Sequence, residues 1–218
     1  IEAAKIAKMS DSNGASALLC FPPQSMAMGG HLRPEMALEH FKRIADATDL
    51  PLICFNYPSA GNLTYPFDTL LKLFETVPTI KAIKDWSNDP MLHEKHIKTF
   101  QSLSKPVNVL TTHSSWLMSS LVMGAKGLLS GAGSVIASLQ VAMFIAVKNK
   151  DLETAQKIND QIVKDCILNA TLAPNSSNLQ LWEFFQITDA NVLSNLKRAC
   201  LSQNAASTAQ QMVVVVTR

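Results

Sequence analysis

The chain has 218 residues, enough to bury a sizeable core, and its formal net charge of +2 at pH 7 is nearly balanced. No basic run or stripe marks nucleic acid or an anionic membrane as a partner, and no apolar stretch is long enough to span a bilayer. The four cysteines show no CxxC spacing. We therefore expect neither a metal site nor disulfides, and we interpret Cys20 and Cys54 as buried apolar residues in a reducing, cytoplasmic compartment.

Short apolar runs alternate with amphipathic helices through most of the chain. The runs predict strands at Ser16–Phe21, Pro51–Phe55, Thr79–Lys84, Val107–Thr111 and Lys126–Ser130. Helices are predicted over Ile1–Met9, Pro34–Ile44, Pro66–Val77, Pro90–Leu103, Ser114–Met123 and Val135–Asn149. This alternation indicates a parallel sheet covered by helices. No glycine-rich fingerprint follows a strand, which disfavours a nucleotide-binding doubly wound fold.

The alternation stops after Asn149. A long amphipathic helix is predicted over Asp151–Leu172, and Asp189 is a candidate N-cap for a further helix that ends near Leu201. The last segment, 202–218, is small and polar before the run Val213–Val216. We expect most of this segment to be disordered, with the valine run prone to aggregation.

Lys84 ends the third predicted strand. Alternation along a strand puts Lys84 on one face and Lys81 on the other. The carboxyl ends of parallel strands are where such folds place their chemistry, so Lys84 is a candidate catalytic residue. A lysine with a buried stem and a solvated ammonium group would give the same pattern, and we interpret Lys81 in that way.

Four segments resemble those of the dihydrodipicolinate synthase and N-acetylneuraminate lyase family, in the same order and spacing. They are Ser16–Pro23, Leu52–Ser59, Ile83–Asp85 and Gly124–Ser130. The resemblance covers roughly residues 1–172, and its most specific motif is the strand-end lysine downstream of the Asn56-Tyr57-Pro58 turn.

The resemblance implies an α/β fold that is part of a (β/α)8 TIM barrel. Residues 1–150 would form about the last five strand–helix units, followed by a helical C-terminal extension over 151–201 and a disordered tail over 202–218. The family's first three units have no counterpart in the sequence, so we expect an internal fragment that is not a stable monomer by itself. The full-length protein is expected to be a homo-oligomer.

The resemblance also implies a class I lyase or aldolase that acts on pyruvate or a related 2-keto acid without a cofactor. Lys84 would form a Schiff base with the keto group, and the resulting iminium would stabilise a carbanion on the adjacent carbon. Only a neutral amine attacks, so the lysine pKa has to fall from about 10.4. The alternative is an inactive homologue or fragment that keeps the scaffold and binds a keto acid or a partner subunit.

The resemblance assigns further residues to the site. Tyr57 would act as an acid–base group or substrate contact, although a tyrosine there could also merely pack on a helix. The substrate-binding candidates are Phe55, Ser59, His113, Leu129 and Ser130. His113 would bind a hydroxyl or a carboxylate of the substrate, and a purely structural role is left open for it.

The sequence departs from the dihydrodipicolinate synthases at several positions. Phe55 stands where the family has a proton-relay tyrosine, and Ala60 stands where these synthases have a loop arginine. Gln24-Ser25 replaces their second aromatic pair, and His113-Ser114-Ser115 replaces their Gly-Asp-Asp-like turn. The segment Asn56–Ala60 is instead similar to the loop of ketodeoxygluconate aldolases. We therefore expect an uncharged, sugar-acid-like or other 2-keto substrate.

Overall fold

The structure is a computed structural model that describes residues 2–171, 182–200, 209 and 211–217. The chain divides into two compact units, residues 1–131 and 132–218. The first unit contains all five predicted strands. The predicted barrel segment, 1–150, also includes the helix that opens the second unit, and its assignment to a barrel stays a prediction.

The five strands of the first unit form one parallel sheet. They are β1 (Leu18–Cys20), β2 (Leu52–Asn56), β3 (Ile80–Asp85), β4 (Asn108–Thr111) and β5 (Gly127–Leu128). Their order in the sheet is the same as their order along the chain. A doubly wound sheet reverses its strand order at a switch point, whereas a barrel wall runs in chain order. The predicted parallel α/β sheet is confirmed.

In the first unit one helix precedes the first strand, and a helix follows each of the first four strands. They are α1 (Glu2–Ser12), α2 (Pro34–Ala45), α3 (Phe67–Thr76), α4 (Pro90–Phe100) and α5 (Leu117–Val122). Local sequence fixes several of the ends. Asp89 caps α4 by accepting hydrogen bonds from the backbone N–H groups of Met91 and Leu92, and Pro90 occupies the first turn. Gly14, with a φ of +83°, supplies the left-handed conformation just after α1.

The two faces of the sheet differ sharply in exposure. We call one the covered face; in the middle and at the carboxyl ends of β2, β3 and β4 it carries Cys54, Ile83, Asp85, Val109 and Thr111, all 0% exposed. The other, the open face, carries half-buried Leu19, Ile53, Lys84 and Leu110. Side chains alternate between faces along each strand, so the same strands supply both surfaces. Lys84 lies on the open face.

The second unit contains α6 (Gly133–Lys148), α7 (Leu152–Thr171), β6 (Trp182–Ile187), α8 (Ala190–Ala199) and β7 (Met212–Thr217). Helices α6 and α7 pack together, and β6 pairs with β7 in an antiparallel sheet. Asp189 caps α8 as the sequence predicts. The valine run of the predicted disordered tail lies in β7, whereas residues 201–208, 210 and 218 fall outside the described residues.

No helix within these described ranges combines the length and apolar character needed to cross a lipid bilayer.

Candidate active site

Lys84 is held at the carboxyl end of β3 beside Phe55 of β2. The two residues are register partners in the parallel pair, so their side chains share the open face. The Nζ atom of Lys84 lies 4.7 Å from the centre of the Phe55 ring. Burial lowers the pKa of Lys84 below its ordinary value of 10.5. Within the part of the chain that the structure describes, Nζ has neither a hydrogen-bond partner nor a counter-ion.

Lys81 is in a different environment from Lys84. Its side chain is exposed, and its Nζ atom donates a hydrogen bond of 2.8 Å to the backbone oxygen of Pro78, which precedes the strand. The two lysines of β3 therefore form a natural pair for comparison, one beside an aromatic ring and one in solvent.

Phe55 is in ring contact with three further aromatic side chains, and we call the four the aromatic cluster: Phe21, Phe55, Tyr57 and Trp86. Phe55 is at the centre. Its ring centre lies 4.9 Å from that of Phe21, 4.5 Å from that of Tyr57 and 6.2 Å from that of Trp86, with which it stacks at 11°. Phe55 is 4% exposed, whereas Phe21 and Trp86 are 48% and 40% exposed.

Trp86 is a member of the aromatic cluster that the sequence analysis did not identify. It follows β3, and its backbone N–H extends the sheet by donating a 3.0 Å hydrogen bond to the oxygen of Asn56. The sequence contains a signal for it, because Trp86 lies two residues after Lys84 and a strand places residues two apart on the same face.

The loop after β2 presents Tyr57. Asn56 organises this loop, since its Oδ1 atom accepts hydrogen bonds from the Tyr65 backbone N–H at 2.9 Å and from the Thr64 hydroxyl at 3.4 Å. Tyr57 is half-buried, and its hydroxyl forms no hydrogen bond with another described residue. Ser59 is exposed further along the same loop. Tyr57 thus packs against Phe55, which lies beside Lys84, whereas Ser59 is on the surface of the loop.

A buried polar network lies on the covered face directly behind the candidate site. We call it the Asp85 network: Asp85, His93, His96 and Ser120. The Oδ2 atom of Asp85 lies 2.6 Å from Nδ1 of His93 and 2.8 Å from Nδ1 of His96. The Nε2 atom of His93 lies 2.7 Å from the Ser120 hydroxyl. All four residues are at most 1% exposed, so the network ties the end of β3 to α4 and α5 in a dry environment.

The electrostatics of Asp85 follow from these partners. Burial opposes ionisation of the carboxyl group, but the hydrogen bonds and charges of His93 and His96 outweigh it and hold the Asp85 pKa below its ordinary value. The Asp85 Oδ1 atom also accepts a 2.9 Å hydrogen bond from the Ser87 backbone N–H. The carboxylate is therefore ionised and well satisfied, which suits an anchor for the strand end more than a group that exchanges protons with a substrate.

His113 is placed beside this network and not beside Lys84. Thr111, two residues before it, is the register partner of Asp85 and lies on the covered face. The His113 ring stacks on Trp116 at 4.0 Å between centres and meets the ring of His93 edge to face at 5.4 Å. Burial lowers the pKa of His113 to about 4. These contacts favour the structural role that the sequence left open for His113 over a role as a substrate ligand.

Leu129 and Ser130 follow β5, at the same edge of the sheet as the end of β3. Leu129 is half-buried, and its backbone N–H donates a 2.8 Å hydrogen bond to the oxygen of Thr111. The Ser130 hydroxyl lies 2.6 Å from that of Ser114, which follows β4. These hydroxyls are at the correct edge of the sheet to meet a substrate, and their role stays a prediction.

The chemistry available at the open face is that of an amine in apolar surroundings. Among the described residues, no group of three or more His, Cys, Asp or Glu side chains could hold a metal ion. The amine of Lys84 has a lowered pKa and lies over the ring of Phe55, which in turn packs against the Tyr57 ring, while the Asp85 carboxylate is directed to the other face. This arrangement can deliver a neutral amine to a carbonyl group.

The sequence is similar to those of known proteins. The dihydrodipicolinate synthetase family matches residues 1–216. The 4-hydroxy-tetrahydrodipicolinate synthase of Helicobacter acinonychis is 28% identical over 163 residues, covering 74% of this chain and 51% of that protein. The enzyme of the same name from Chloroherpeton thalassium is 28% identical over 172 residues, covering 78% and 54%. The chain thus spans about half the length of these curated relatives.

Solved structures of related proteins share the fold. Dihydrodipicolinate synthase from Bacteroides thetaiotaomicron superposes with a TM-score of 0.66 at 20% identity, covering 81% of this chain and 57% of that one. CdNal from Clostridium difficile, solved in complex with mannosamine, gives a TM-score of 0.66 at 21% identity, covering 77% and 54%. From the match over residues 1–216 we conclude that the chain belongs to the dihydrodipicolinate synthetase family.

Proposed function

We propose that this protein is a class I lyase or aldolase that forms a Schiff base between Lys84 and pyruvate or a related 2-keto acid. The observation that carries the proposal is the state of the Lys84 amine. It ends a strand of a parallel sheet, its pKa is lowered by burial, and it has no counter-ion among the described residues. Membership of the dihydrodipicolinate synthetase family supports a reaction of the aldolase type.

The chemistry requires the lysine to attack in its neutral form. The Nζ atom forms a bond to the keto carbon, the carbonyl oxygen takes one proton from the amine to become a hydroxyl group, and this group leaves as water with a second proton from a general acid or from solvent. The resulting iminium withdraws electrons from the carbon next to it. Loss of a proton or of a carbon–carbon bond at that carbon then yields an enamine, which can add to an electrophile.

Tyr57 is the candidate acid–base group or substrate contact. Phe55, at the position of the family's proton-relay tyrosine, has no hydroxyl, whereas the Tyr57 ring packs against it at 4.5 Å and its hydroxyl has no hydrogen-bond partner in the described residues. The loop Asn56–Ala60 is similar to that of ketodeoxygluconate aldolases, which favours a substrate contact through this tyrosine. Ser59, Leu129 and Ser130 remain candidates for binding the rest of the substrate.

We further propose that the five-stranded sheet is one part of a (β/α)8 barrel wall, with its open face towards the barrel interior. The chain-order arrangement of parallel strands and the helices on the covered face support this. The active protein would then be a homo-oligomer in which the open face is enclosed.

Trapping with borohydride tests the proposal. Sodium borohydride added with pyruvate reduces an imine to a stable secondary amine, which intact-protein mass spectrometry detects as one added pyruvate unit. The expected result is a single adduct on the wild-type chain and none on Lys84→Arg, because a guanidinium stays protonated and cannot attack a carbonyl.

Lys81→Arg is the matched control for this experiment. It makes the same substitution on the same strand at an exposed lysine, so it should trap pyruvate at the wild-type rate. A correctly folded wild-type chain without an adduct, or an adduct that persists in Lys84→Arg, would overturn the proposal.

A further inference from the structure

The apolar surroundings of Lys84 extend beyond what imine formation needs. A lysine pKa can be lowered by burial against aliphatic side chains. Here the amine lies against the aromatic cluster instead, with its Nζ atom over the face of Phe55. Among the described residues, the rings of Phe21 and Phe55 contact each other, and Phe55 also contacts Tyr57, Trp86 and the Lys84 amine.

The outer rings of the cluster are exposed. Phe55 is buried, but Phe21 on the β1 side and Trp86 on the β3 side are 48% and 40% exposed. Because β2 lies between β1 and β3, these two rings flank Phe55 along the sheet. Exposed aromatic surface beside a nucleophile is unfavourable in water, and aromatic rings stack favourably at 4.5–7 Å between centres. A planar apolar group next to Lys84 would cover this surface.

The charges near the Lys84 amine also favour a substrate whose second group is apolar. Substrates with a second carboxylate or a phosphate need a cation besides the lysine, and the loop position that carries arginine in dihydrodipicolinate synthases is Ala60 here. The cationic iminium, once formed, would occupy the place of the ammonium group over Phe55. A cation at this position is stabilised by the ring face without a carboxylate counter-ion.

We propose that the aromatic cluster selects 2-keto acids whose third carbon carries an aromatic ring, that is, the arylpyruvate class. This inference rests on the proposed imine at Lys84 and names the substrate class of that site. The keto carbon bonds to Nζ with loss of water, and the aryl group stacks on Trp86 and Tyr57. Trp86 is thereby a specificity-determining residue.

Two measurements on the full chain separate this inference from the imine proposal. The first measures the rate of borohydride trapping as a function of keto acid concentration for phenylpyruvate, 2-oxohexanoate and 2-oxoglutarate. Each rate is normalised to the rate with free Nα-acetyl-lysine. Half-saturation should occur at a concentration at least tenfold lower for phenylpyruvate than for 2-oxohexanoate. Trp86→Leu should reduce this preference to less than threefold.

The second measurement needs no imine. Binding of 3-phenylpropanoate, which has no keto group, is followed by calorimetry and compared with binding of hexanoate. The Lys84→Met variant, which cannot form an imine, should retain the preference for the aryl acid, and Trp86→Leu should lose it. Trp116→Leu, whose ring stacks on His113, is the matched tryptophan control and should keep the preference.

The outcomes are distinct. Trapping of every keto acid at similar half-saturation, with no preference for 3-phenylpropanoate, overturns the inference and leaves the Lys84 imine intact. Absence of any trapped adduct refutes the imine, and the binding preference for the aryl acid then decides alone whether the cluster is an aryl site. A preference that survives Trp86→Leu in folded protein overturns the role of Trp86.

Discussion

At the scale of single residues, the position of Lys84 over Phe55 combines two opposing effects on the amine. Burial disfavours the ammonium form, and the face of an aromatic ring favours it. Burial lowers the Lys84 pKa, and the attraction of the Phe55 ring for the cation acts in the opposite direction. A neutral amine is thereby available at a lower pH than for a lysine in water, while the ring still accommodates the cationic iminium.

This balance predicts a pH profile. The rate of pyruvate trapping should rise with pH as Lys84 loses its proton, with a midpoint below 10.5. In Phe55→Leu the burial is largely kept and the attraction of the ring for the cation is lost, so the midpoint should move down by roughly half a pH unit. The measurement is the initial trapping rate at closely spaced pH values. An upward shift in Phe55→Leu would contradict the account.

The Asp85 network gives a second prediction. Asp85→Asn removes the carboxylate that two buried imidazoles share, and the free energy of unfolding should fall by about 2–4 kcal/mol. The Asp85 pKa is held low, so the ionised carboxylate stabilises the fold at and above about pH 5, and this stabilisation declines as the pH falls below about 4. The difference in the free energy of unfolding between wild type and Asp85→Asn should therefore become smaller as the pH falls below about 4.

Urea unfolding followed by circular dichroism measures this difference. Lys81→Ala, an exposed change on the same strand, should cost no more than about 0.5 kcal/mol. If Asp85→Asn cost as little as this control, the network would not be an anchor of the strand end.

The residue-level site was partly predictable. Strand alternation and parallel pairing suffice to bring Lys84, Phe55 and Tyr57 together, and the same reasoning could have included Trp86. The partners of Asp85 could not be predicted in this way. They depend on how α4 is rotated against the sheet, which brings His93 and His96 to one carboxylate oxygen.

At the scale of elements, the two faces of the sheet have different roles: one stabilises the fold and the other carries the candidate site. The covered face packs against helices and carries fully buried side chains such as Ile83 and Val109, and the open face carries the candidate site. Apolar runs in the sequence predicted all five strands of this sheet, because buried parallel strands are apolar throughout. The pairing of β6 with β7 was not predicted, because it joins residues far apart in the chain and no local pattern marks the partner.

The difference between the faces can be measured with two identical substitutions. Ile83 is 0% exposed on the covered face, whereas Ile53 is half-buried on the open face. Ile83→Ala should lower the free energy of unfolding by about 3–4 kcal/mol, because it leaves a cavity, and Ile53→Ala should cost about half as much or less. Chemical denaturation of both variants tests this. Equal losses of unfolding free energy in the two variants would mean that the open face is as deeply buried as the covered face, which would contradict this account.

At the scale of the whole molecule, the chain shares its family's fold over about half the length of its curated relatives. Strands β1 and β5 are the outer strands of the sheet, and each pairs with a single neighbour within the described residues. Such strands offer free backbone donors and acceptors to another chain. Together with the half-buried apolar side chains of the open face, they provide a surface suited to association.

We therefore expect the 218-residue polypeptide to self-associate in solution. Sedimentation velocity at micromolar concentrations should show species larger than a monomer, and raising the concentration should increase their share. A sharp monomer boundary across this range, with a cooperative thermal transition whose midpoint pyruvate raises, would contradict this expectation.

The most direct test of the central claim is to locate the imine within the chain. After reduction with borohydride in the presence of pyruvate, the wild-type protein is digested and its lysine-containing peptides are sequenced by tandem mass spectrometry. The account predicts that the adduct is on Lys84, with Lys81 on the same strand unmodified. An adduct on Lys81, or one spread over exposed lysines with Lys84 unmodified, would contradict it.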